Sequence, residues 1–400
     1  YRHFAPNSRH WLIAGWFSLI TPFMISVFYS VITLWVLGYL IEIARGNLNQ
    51  LAEPQYFEQF INSKAIFLYM ALVITATGLI LRGGVQKGIE AAAKLMMPTL
   101  FIVLLVLVGF GLTRDNAMAG VTFYLIPDLS KITPSVINGA LSQAFFSLSL
   151  GMGIMITYGS YMSKNASITH SAKMIAITDT AVAFTAGLLI LPAIFSFNPE
   201  IDPAELSSSS VGLVFTFLPK IFLALQGSTG YFAASLVAAA FFTLVLFAAI
   251  TSLVSIIEVP VAAVMDELGQ SRKQALATLG GGIILFTVFC ALSFGMVDFF
   301  TDFIPYGGAS RSFFDLVIDF FYETILPLNG FLICILVCYR WKRFNMSREL
   351  EIGDEHFRGS LMERYINFAL STFIPAVLLL VFINTVLLKF FSIDLFALLA

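Results

Sequence analysis

Nine apolar runs, each long enough to cross a lipid bilayer, constrain this chain more than any other feature of its sequence. They lie at about 11–43, 64–82, 96–113, 134–162, 170–197, 232–265, 275–297, 312–339 and 364–390. A helix needs about 20 apolar residues to cross the hydrocarbon core, and the longest runs must tilt, break or extend beyond it. Because 58% of the 400 residues are hydrophobic and only 12% are charged, we predict one all-α polytopic membrane domain, 1–400.

Positively charged residues in the connections predict the orientation of the chain. When successive connections are placed on alternate sides, 15 of the 22 Lys and Arg residues fall on one side and 7 on the other. Cytoplasmic loops carry the excess of Lys and Arg. We therefore predict a multi-pass protein of the cell membrane whose first residues are cytoplasmic and whose C-terminus is outside. The net charge of -2 gives no reason to expect nucleic acid as a partner.

The longest connection, at about 198–231, would then be extracellular. It begins with prolines and four serines from Ser207 to Ser210, and becomes apolar again from Val211 to Leu218. Such a segment either returns toward the protein, as non-helical backbone near a membrane must, or forms an amphipathic surface helix. Both interpretations stay open.

Cysteine, histidine and enzyme motifs give no indication of catalysis or of a transition-metal site. Cys290, Cys334 and Cys338 all fall in apolar runs without metal-ligand spacing, which favours a packing role. The sequence contains no His-Glu-x-x-His motif, no Gly-x-Ser-x-Gly elbow and no phosphate-binding loop. We therefore do not expect an enzyme.

The fourth run carries polar residues and glycines at its centre. Ser147 and Ser149 alternate there with apolar residues, and Gly151 and Gly153 follow, each lowering helix propensity by about 1 kcal/mol. One interpretation is a helix that breaks at the membrane midplane and frees backbone carbonyls for ions and anionic groups. The other is a packing face of small residues between two close helices.

Several acids lie within the apolar runs, where ionisable residues are costly and often functional. Asp179 lies between two threonines in the fifth run, and Glu258 lies in the sixth run. Asp315, Asp319 and Glu323 follow at four-residue spacing, which places them on one helix face. For each acid the alternative is a place at the interface or a pairing with a basic neighbour. Asp179 among hydroxyls is the best candidate for a hard cation.

Five segments along the chain form a recognisable set. They are Gln143 to Gly153, Lys87 to Pro98, Phe123 to Asp128, Ala249 to Ser252 and Asp266 to Leu268. This set resembles the neurotransmitter:sodium symporter family, particularly its bacterial amino-acid transporters. The resemblance implies an inverted repeat of five plus five helices. Because the first run resembles the family's third helix, we expect an incomplete form of that fold with nine transmembrane helices and without the first two.

The resemblance also implies roles for individual residues. The expected contacts of an amino-acid substrate are Ile25, Tyr29, Phe146, Ser147, Ser149, Met152, Ser252 and Ile256. The expected ligands of two sodium ions, each site only partly present in this chain, are Ser147, Asp179, Ala248, Thr251 and Ser252. The expected gating residues are Ser160, Tyr161 and Asp266 on the inside and Asp319 on the outside, with their arginine partners near or on the family's first helix.

Two departures from the family pattern refine these expectations. Chloride-dependent members carry a serine where this chain has Ala183, and an asparagine where it has Asp179. A fixed carboxylate would supply the charge that chloride supplies elsewhere, so no chloride is expected. Met152 stands where many members carry a bulky aromatic residue, and an adaptable, apolar pocket fits a hydrophobic L-amino acid.

Together these features predict sodium-coupled symport of a hydrophobic L-amino acid by alternating access in the lipid bilayer. Two alternatives stay open. One is a non-transporting membrane receptor or regulatory relative, and the other is an inactive fragment of the transporter. The sequence leaves the cargo, the ion stoichiometry and the oligomeric state undetermined.

Overall fold

The computed structural model describes residues 9–197, 213–354, 356–393 and 395, and its regular structure is helical apart from one short hairpin. The α-helices and strands are, in chain order, α1 Arg9–Ala44, α2 Leu48–Leu51, α3 Tyr56–Ile61, α4 Ala65–Arg82, α5 Ala91–Leu112, α6 Ala117–Leu125, α7 Pro134–Ser147, α8 Ile154–Tyr161, α9 Ile168–Phe197, α10 Leu218–Ala224, α11 Gln226–Thr229, α12 Tyr231–Leu268, α13 Arg272–Leu292, α14 Asp298–Thr301, β1 Ile304–Tyr306, β2 Ala309–Arg311, α15 Phe313–Val317, α16 Leu326–Ile335, α17 Arg343–Leu350, α18 Leu361–Phe368 and α19 Ile374–Phe391. Five π-helical segments adjoin these helices, at Val85–Glu90, Leu213–Phe217, Ile318–Ile325, Leu336–Lys342 and Ala369–Phe373, and a 3-10 turn spans Leu129–Lys131.

Eight continuous helical segments of the described chain are long and apolar enough to cross a membrane. They are His10–Ala44, Ala65–Arg82, Val85–Leu112, Ile168–Ser196, Tyr231–Leu268, Arg272–Leu292, Phe313–Leu350 and Leu361–Phe391. The remaining apolar run, at 134–162, forms the two shorter helices α7 and α8 instead of one. The predicted all-helical membrane fold is thus confirmed, and one of the nine expected spans is broken.

Helix α1 is the centre of the bundle. It is the most buried of the eight spans, and it packs along α12. Two of its hydroxyls are satisfied within the helix, since Ser26 and Ser30 each donate to a backbone carbonyl three or four residues earlier. Trp35 and Tyr39 fill the core on its other faces. A helix that is apolar all round fits this central position.

The described part of the long connection before α12 packs into the protein. Phe215 and Leu218 are at most 2% exposed, and the ring of Phe215 stacks on that of Phe57 at a centroid distance of 5.2 Å. Rings of Trp35 and Tyr39 contact the same phenylalanine. These contacts favour the returning segment over a surface helix, although 198–212 of the predicted connection lie outside the described residues.

Local capping residues set the ends of the helices that form the site. Thr133 accepts a hydrogen bond from the amide of Val136 and is followed by proline at the first helical position of α7. Ser271 and Gln274 form a capping box at the start of α13. Gly269 ends α12 in the left-handed conformation, with φ of 61°. These signals are readable in the sequence and fix where α7 and α13 begin and where α12 ends.

Candidate functional site

The segment between α7 and α8 is an interruption of one membrane span. Helix α7 ends at Ser147 and α8 starts at Ile154. Between them Ser149, Gly151 and Gly153 have positive φ angles of 55°, 75° and 77°, a region that residues with a Cβ atom rarely adopt. The glycine pattern in the sequence therefore marks a real break in the helix.

Gly151 also makes the close contact that the alternative interpretation predicted. A Cβ atom there would lie 2.7 Å from the carbonyl oxygen of Leu326 and 2.9 Å from the ring of Phe145. The two interpretations of this segment are thus both met at one residue: the chain breaks, and the break is packed tightly against α16.

A hydroxyl and a carboxylate meet at the end of α7. The Ser147 hydroxyl donates to Oδ1 of Asp179 at 2.7 Å, which joins α7 to α9 over 32 residues of sequence. Both residues are half-buried. Oxygen atoms of this kind, one of them carrying a full negative charge, are the ligands that hard cations prefer.

Helix α12 brings a second set of oxygen atoms. The Thr251 hydroxyl donates to the carbonyl oxygens of Phe247 and Ala248, at 2.9 and 3.0 Å. The side chain of Ser252 lies beside the Tyr29 hydroxyl of α1. Hydroxyl and carbonyl oxygens of α12 thus lie close together, next to the tyrosine of α1.

A cavity of about 810 Å³ connects these groups. The residues that the sequence singled out and that line this cavity are Tyr29, Phe146, Ser147, Ser149, Met152, Tyr161, Asp179, Ala248, Thr251, Ser252 and Ile256. Ile25 does not line it, and its side chain lies fully buried in the core of the bundle. The cavity falls in the size range of small-molecule sites.

The ring of Phe146 lies at the edge of this cavity against Tyr322. Their centroids are 4.6 Å apart and the rings are nearly perpendicular, at 71°, an arrangement that aromatic pairs favour. Tyr322 also contacts Phe28 at 5.8 Å. Sequence reasoning missed Tyr322, which stands next to Glu323 but gave no signal of its own that it would reach Phe146.

Tyr158 and Ser255 are two further polar residues of the cavity wall that the sequence did not single out. The Tyr158 hydroxyl donates to the Ser255 hydroxyl at 2.6 Å, and the latter donates to the carbonyl of Thr251 at 3.0 Å. Both side chains line the cavity. Ser255 follows Thr251 by one helical turn, and that spacing is the signal that would have found it.

At one end of the site Glu258 is bound by a basic neighbour. Arg272 holds both of its carboxylate oxygens, at 3.0 and 2.5 Å, and the Tyr161 hydroxyl donates to it at 2.9 Å. Glu258 is fully buried, and Arg272 also donates to the carbonyl of Leu81. For Glu258 the alternative of a basic partner is therefore the one that the structure shows.

The predicted inner gating residues have different surroundings. Tyr161 belongs to the Glu258 network, whereas Ser160 is exposed and donates to the carbonyl of Thr157 in its own helix. Asp266 is exposed and interacts electrostatically with the Tyr161 hydroxyl. The structure thus places Tyr161 between two acids, and Ser160 outside the hydrogen-bond network.

Asp319, the predicted outer gating residue, is 5% exposed and has a cation from its own chain. Nζ of Lys389 lies 2.9 Å from its Oδ1 and 2.8 Å from Oε2 of Glu323. The Tyr306 hydroxyl donates to Asp319 at 2.8 Å. Burial raises the pKa of Tyr306, and this hydrogen bond to the carboxylate raises it further.

Asp315 has a structural role instead of joining the other two acids of its predicted face. Its carboxylate accepts hydrogen bonds from the amide and hydroxyl of Ser312, which completes a capping box at the start of α15. Within the described residues, no three His, Cys, Asp or Glu side chains come together as a transition-metal site would require.

Several known proteins are similar to this chain in sequence and fold. Residues 51–395 match the model of the Sodium:neurotransmitter symporter family. The sodium-dependent transporter YhdH of Bacillus subtilis is 35% identical over 96% of this chain and 82% of its own length. A sodium-dependent transporter of Haemophilus influenzae is 36% identical over 70% of this chain and 60% of its own length. The solved structure of MhsT in complex with L-phenylalanine matches with a TM-score of 0.81 and 36% identity, over 96% of this chain and 82% of MhsT.

Proposed function

Because this chain belongs to the sodium:neurotransmitter symporter family, we propose that it is a sodium-coupled symporter of a hydrophobic L-amino acid that works without chloride. The observation that carries this proposal is the Ser147–Asp179 hydrogen bond of 2.7 Å beside the broken helix. Transporters of this type place substrate and ions at the membrane midplane where helices are interrupted. A bundle of helices then moves against the others to expose the site on each side in turn.

The first sodium ion would bind between Ser147 and Asp179. Their oxygen atoms already lie within hydrogen-bond distance of each other. When the Ser147 hydroxyl keeps its proton and turns it away from Asp179, a sodium ion can contact a lone pair of this hydroxyl and the carboxylate together. The same ion would contact the carboxylate of the amino acid, next to the Tyr29 hydroxyl. Since each then improves the binding of the other, sodium and substrate affinities should rise together.

The second sodium ion would bind at α12. The carbonyl of Ala248 and the hydroxyls of Thr251 and Ser252 supply neutral oxygen atoms there, and Thr251 already contacts the Ala248 carbonyl at 3.0 Å. No carboxylate belongs to this proposed set. We therefore expect sodium to bind less tightly here than beside Asp179.

Asp179 is the reason to propose independence from chloride. Its carboxylate lies beside the first ion and would supply the negative charge directly. Uptake should persist when chloride is replaced by gluconate.

Replacing Asp179 with asparagine removes the negative charge beside the first sodium site, and we expect the sodium concentration for half-maximal uptake to rise at least tenfold. The pH dependence of wild-type uptake should disappear in the same variant if proton exchange on Asp179 contributes to the cycle.

The side-chain pocket favours an apolar cargo. Phe146 and Met152 face the cavity together with Ile256, and Met152 can adapt to differently shaped side chains. MhsT, the relative of solved structure, holds L-phenylalanine. We propose branched and aromatic L-amino acids as substrates, and competition by charged but not by apolar amino acids would contradict this.

The two ends of the site would act as gates. Tyr161 and Asp266, with Ser160 nearby, would close the cytoplasmic side, and Asp319 would close the outer side. This assignment follows the predicted orientation, in which the residues before α1 are cytoplasmic. Cysteines introduced at Ser160 and at Gly308, which lies in the turn between β1 and β2, test this orientation. In right-side-out vesicles a membrane-impermeant reagent should react with the cysteine at 308 and not with the one at 160.

Uptake by reconstituted protein is the direct test of the function. The full-length protein in proteoliposomes should accumulate labelled L-phenylalanine or L-leucine with an inward sodium gradient, but not with potassium. Ser147→Ala should weaken the sodium dependence, whereas Thr185→Ala, whose hydroxyl only bonds within α9, should not. Sodium-dependent binding without uptake would favour the non-transporting receptor, and uptake that ignores sodium would contradict the proposal.

A further inference from the structure

A second cavity, of about 510 Å³, lies between α1, α4, α12 and α13, apart from the transport site. It shares no lining residue with the cavity around Ser147 and Asp179. On its outer side Ala277, Gly281 and Ile284 are exposed. The space is thus a lateral groove, hereafter the α4/α13 groove, which faces the surroundings of the bundle and not its centre.

Glycines form the floor of the α4/α13 groove without serving close helix packing. A Cβ atom added at Gly78, Gly280 or Gly281 would meet no other atom within 4 Å. The adjacent Gly282 is different, since its Cβ would lie 3.1 Å from the ring of Phe23. Small residues usually bring membrane helices together, but here three of the four leave space that is open.

The walls of the groove suit an apolar occupant. Ser30 and Thr77 are its two hydroxyl residues, and each donates to a backbone carbonyl of its own helix at 2.7 Å. Apart from these and two basic residues, the lining consists of apolar side chains and glycine. A polar ligand would lose its water here and gain few hydrogen bonds in return.

Two basic residues mark one end of the groove. Arg82 is the last residue of α4, and Lys273 is the second residue of α13. Their neighbours in the chain, Leu81 and Arg272, are joined by a hydrogen bond of 2.6 Å, which brings the two helix ends together. Arg82 and Lys273 are exposed, and neither forms an ion pair with another described residue.

The length of the groove corresponds to one leaflet of a bilayer. From Ile74 to Arg82 the helix rises about 12 Å, and from Lys273 to Ile284 about 16 Å, at 1.5 Å per residue. The hydrocarbon core is about 30 Å thick, so half of it is about 15 Å. The α4/α13 groove is thus apolar along about one leaflet and positively charged only at the end that faces the membrane surface. Its length and polarity match one acyl chain of a lipid with its head group.

We propose that the α4/α13 groove binds an anionic phospholipid, with an acyl chain along Gly78, Gly280 and Gly281 and the phosphate at Arg82 and Lys273. This site is separate from the transport cavity, and the proposal does not depend on the function proposed for that cavity. Through Arg272, which lies next to Lys273 and holds Glu258, the bound lipid would also stabilise the network at that end of the bundle.

Native mass spectrometry of the detergent-purified full-length protein tests this proposal. The probes are phosphatidylglycerol and phosphatidylcholine with identical palmitoyl and oleoyl chains, each titrated separately. Wild-type protein should bind one phosphatidylglycerol more tightly than phosphatidylcholine. The double variant Arg82→Gln/Lys273→Gln should lose roughly 30-fold of this preference, from the usual attraction of each basic side chain to an anionic lipid. Lys164→Gln, an exposed basic residue outside the groove, is the matched control and should change nothing.

Filling the groove tests the acyl-chain part separately. Gly281→Leu places a side chain in open space and should weaken the binding of both lipids, while its melting temperature without lipid stays within a few degrees of wild type. Equal binding of the two lipids by wild-type protein, or an unchanged preference in the double variant, would overturn the proposal. A lipid-free dimer that Gly281→Leu dissociates would also overturn it, because the groove would then hold a second copy of this chain.

Discussion

Replacing Gly151 with alanine is the sharpest perturbation of the broken helix that the structure offers. Gly151 has a positive φ of 75°, and its Cβ position is occupied from two sides, by the Leu326 carbonyl at 2.7 Å and by Phe145 at 2.9 Å. The first neighbour is backbone and cannot rotate away. Alanine must therefore move α16 or change the course of the break.

The expected loss of unfolding free energy in Gly151→Ala has two parts. A residue with a Cβ atom at positive φ costs about 1–2 kcal/mol, and overpacking a tight contact costs about 1–3 kcal/mol. Gly269→Ala isolates the first part, because Gly269 has φ of 61° and open space around its Cβ position. We expect the free energy of unfolding to fall by about 1–2 kcal/mol for Gly269→Ala and by about 2–5 kcal/mol for Gly151→Ala.

Denaturant unfolding in detergent micelles measures the loss of stability, and uptake in proteoliposomes measures the loss of transport. The break positions Ser149 and Met152 on the cavity wall, so uptake by Gly151→Ala should fall at least tenfold even at a temperature where the variant is folded. Uptake by Gly269→Ala should change much less. If the two variants lost the same stability within 0.5 kcal/mol, the close contact with α16 would carry no energy and the reasoning would be refuted.

Three further predictions follow from the polar networks. Arg272→Gln should lower the unfolding free energy by about 3–5 kcal/mol, because it leaves the fully buried Glu258 carboxylate without its cation, and denaturant midpoints measure this. Lys389→Gln should lower the unfolding free energy by about 1–2 kcal/mol, less than the loss of a fully buried pair, because Lys389 is 29% exposed. The control is Lys131→Gln, which breaks an exposed pair of 3.8 Å and should change the unfolding free energy by less than about 0.5 kcal/mol in the same titration. Tyr158→Phe should cost about 1 kcal/mol by losing one hydrogen bond of 2.6 Å, and a shift of melting temperature that exceeds that of Lys389→Gln would contradict this ranking.

Much of the architecture was predictable because membrane spans follow from local features of the sequence. Runs of apolar residues predicted a helical membrane fold, and the glycines at 151 and 153 marked the place where the fourth run could break. The capping signals at Thr133 and Ser271 mark helix starts. In each case the decisive interaction joins residues within one or two helical turns, so it can be recognised without knowledge of the rest of the chain.

Partners that are far apart in sequence were not predictable in this way. The family resemblance gives Asp319 an arginine of the family's first helix as its partner, and it gives no sign of the contact with Lys389, 70 residues further on, that the structure shows. Tyr322 reaches Phe146 on another helix. Glu258 in the sixth run was a candidate functional acid or half of an ion pair, and only its contact with Arg272 on the next helix distinguishes the two.

The sequence by itself determined that this chain is a helical membrane protein and that its hydroxyls and Asp179 are candidates for one site, but it left the fourth run open between a broken helix and a packing face. The tertiary structure decided which of those groups meet, that Ile25 lies in the core, and that the glycines of α13 border a groove. The physical reason is that helical periodicity records only which residues share a face of their own helix. The rotation and crossing of helices decide what that face contacts, and these depend on packing throughout the bundle.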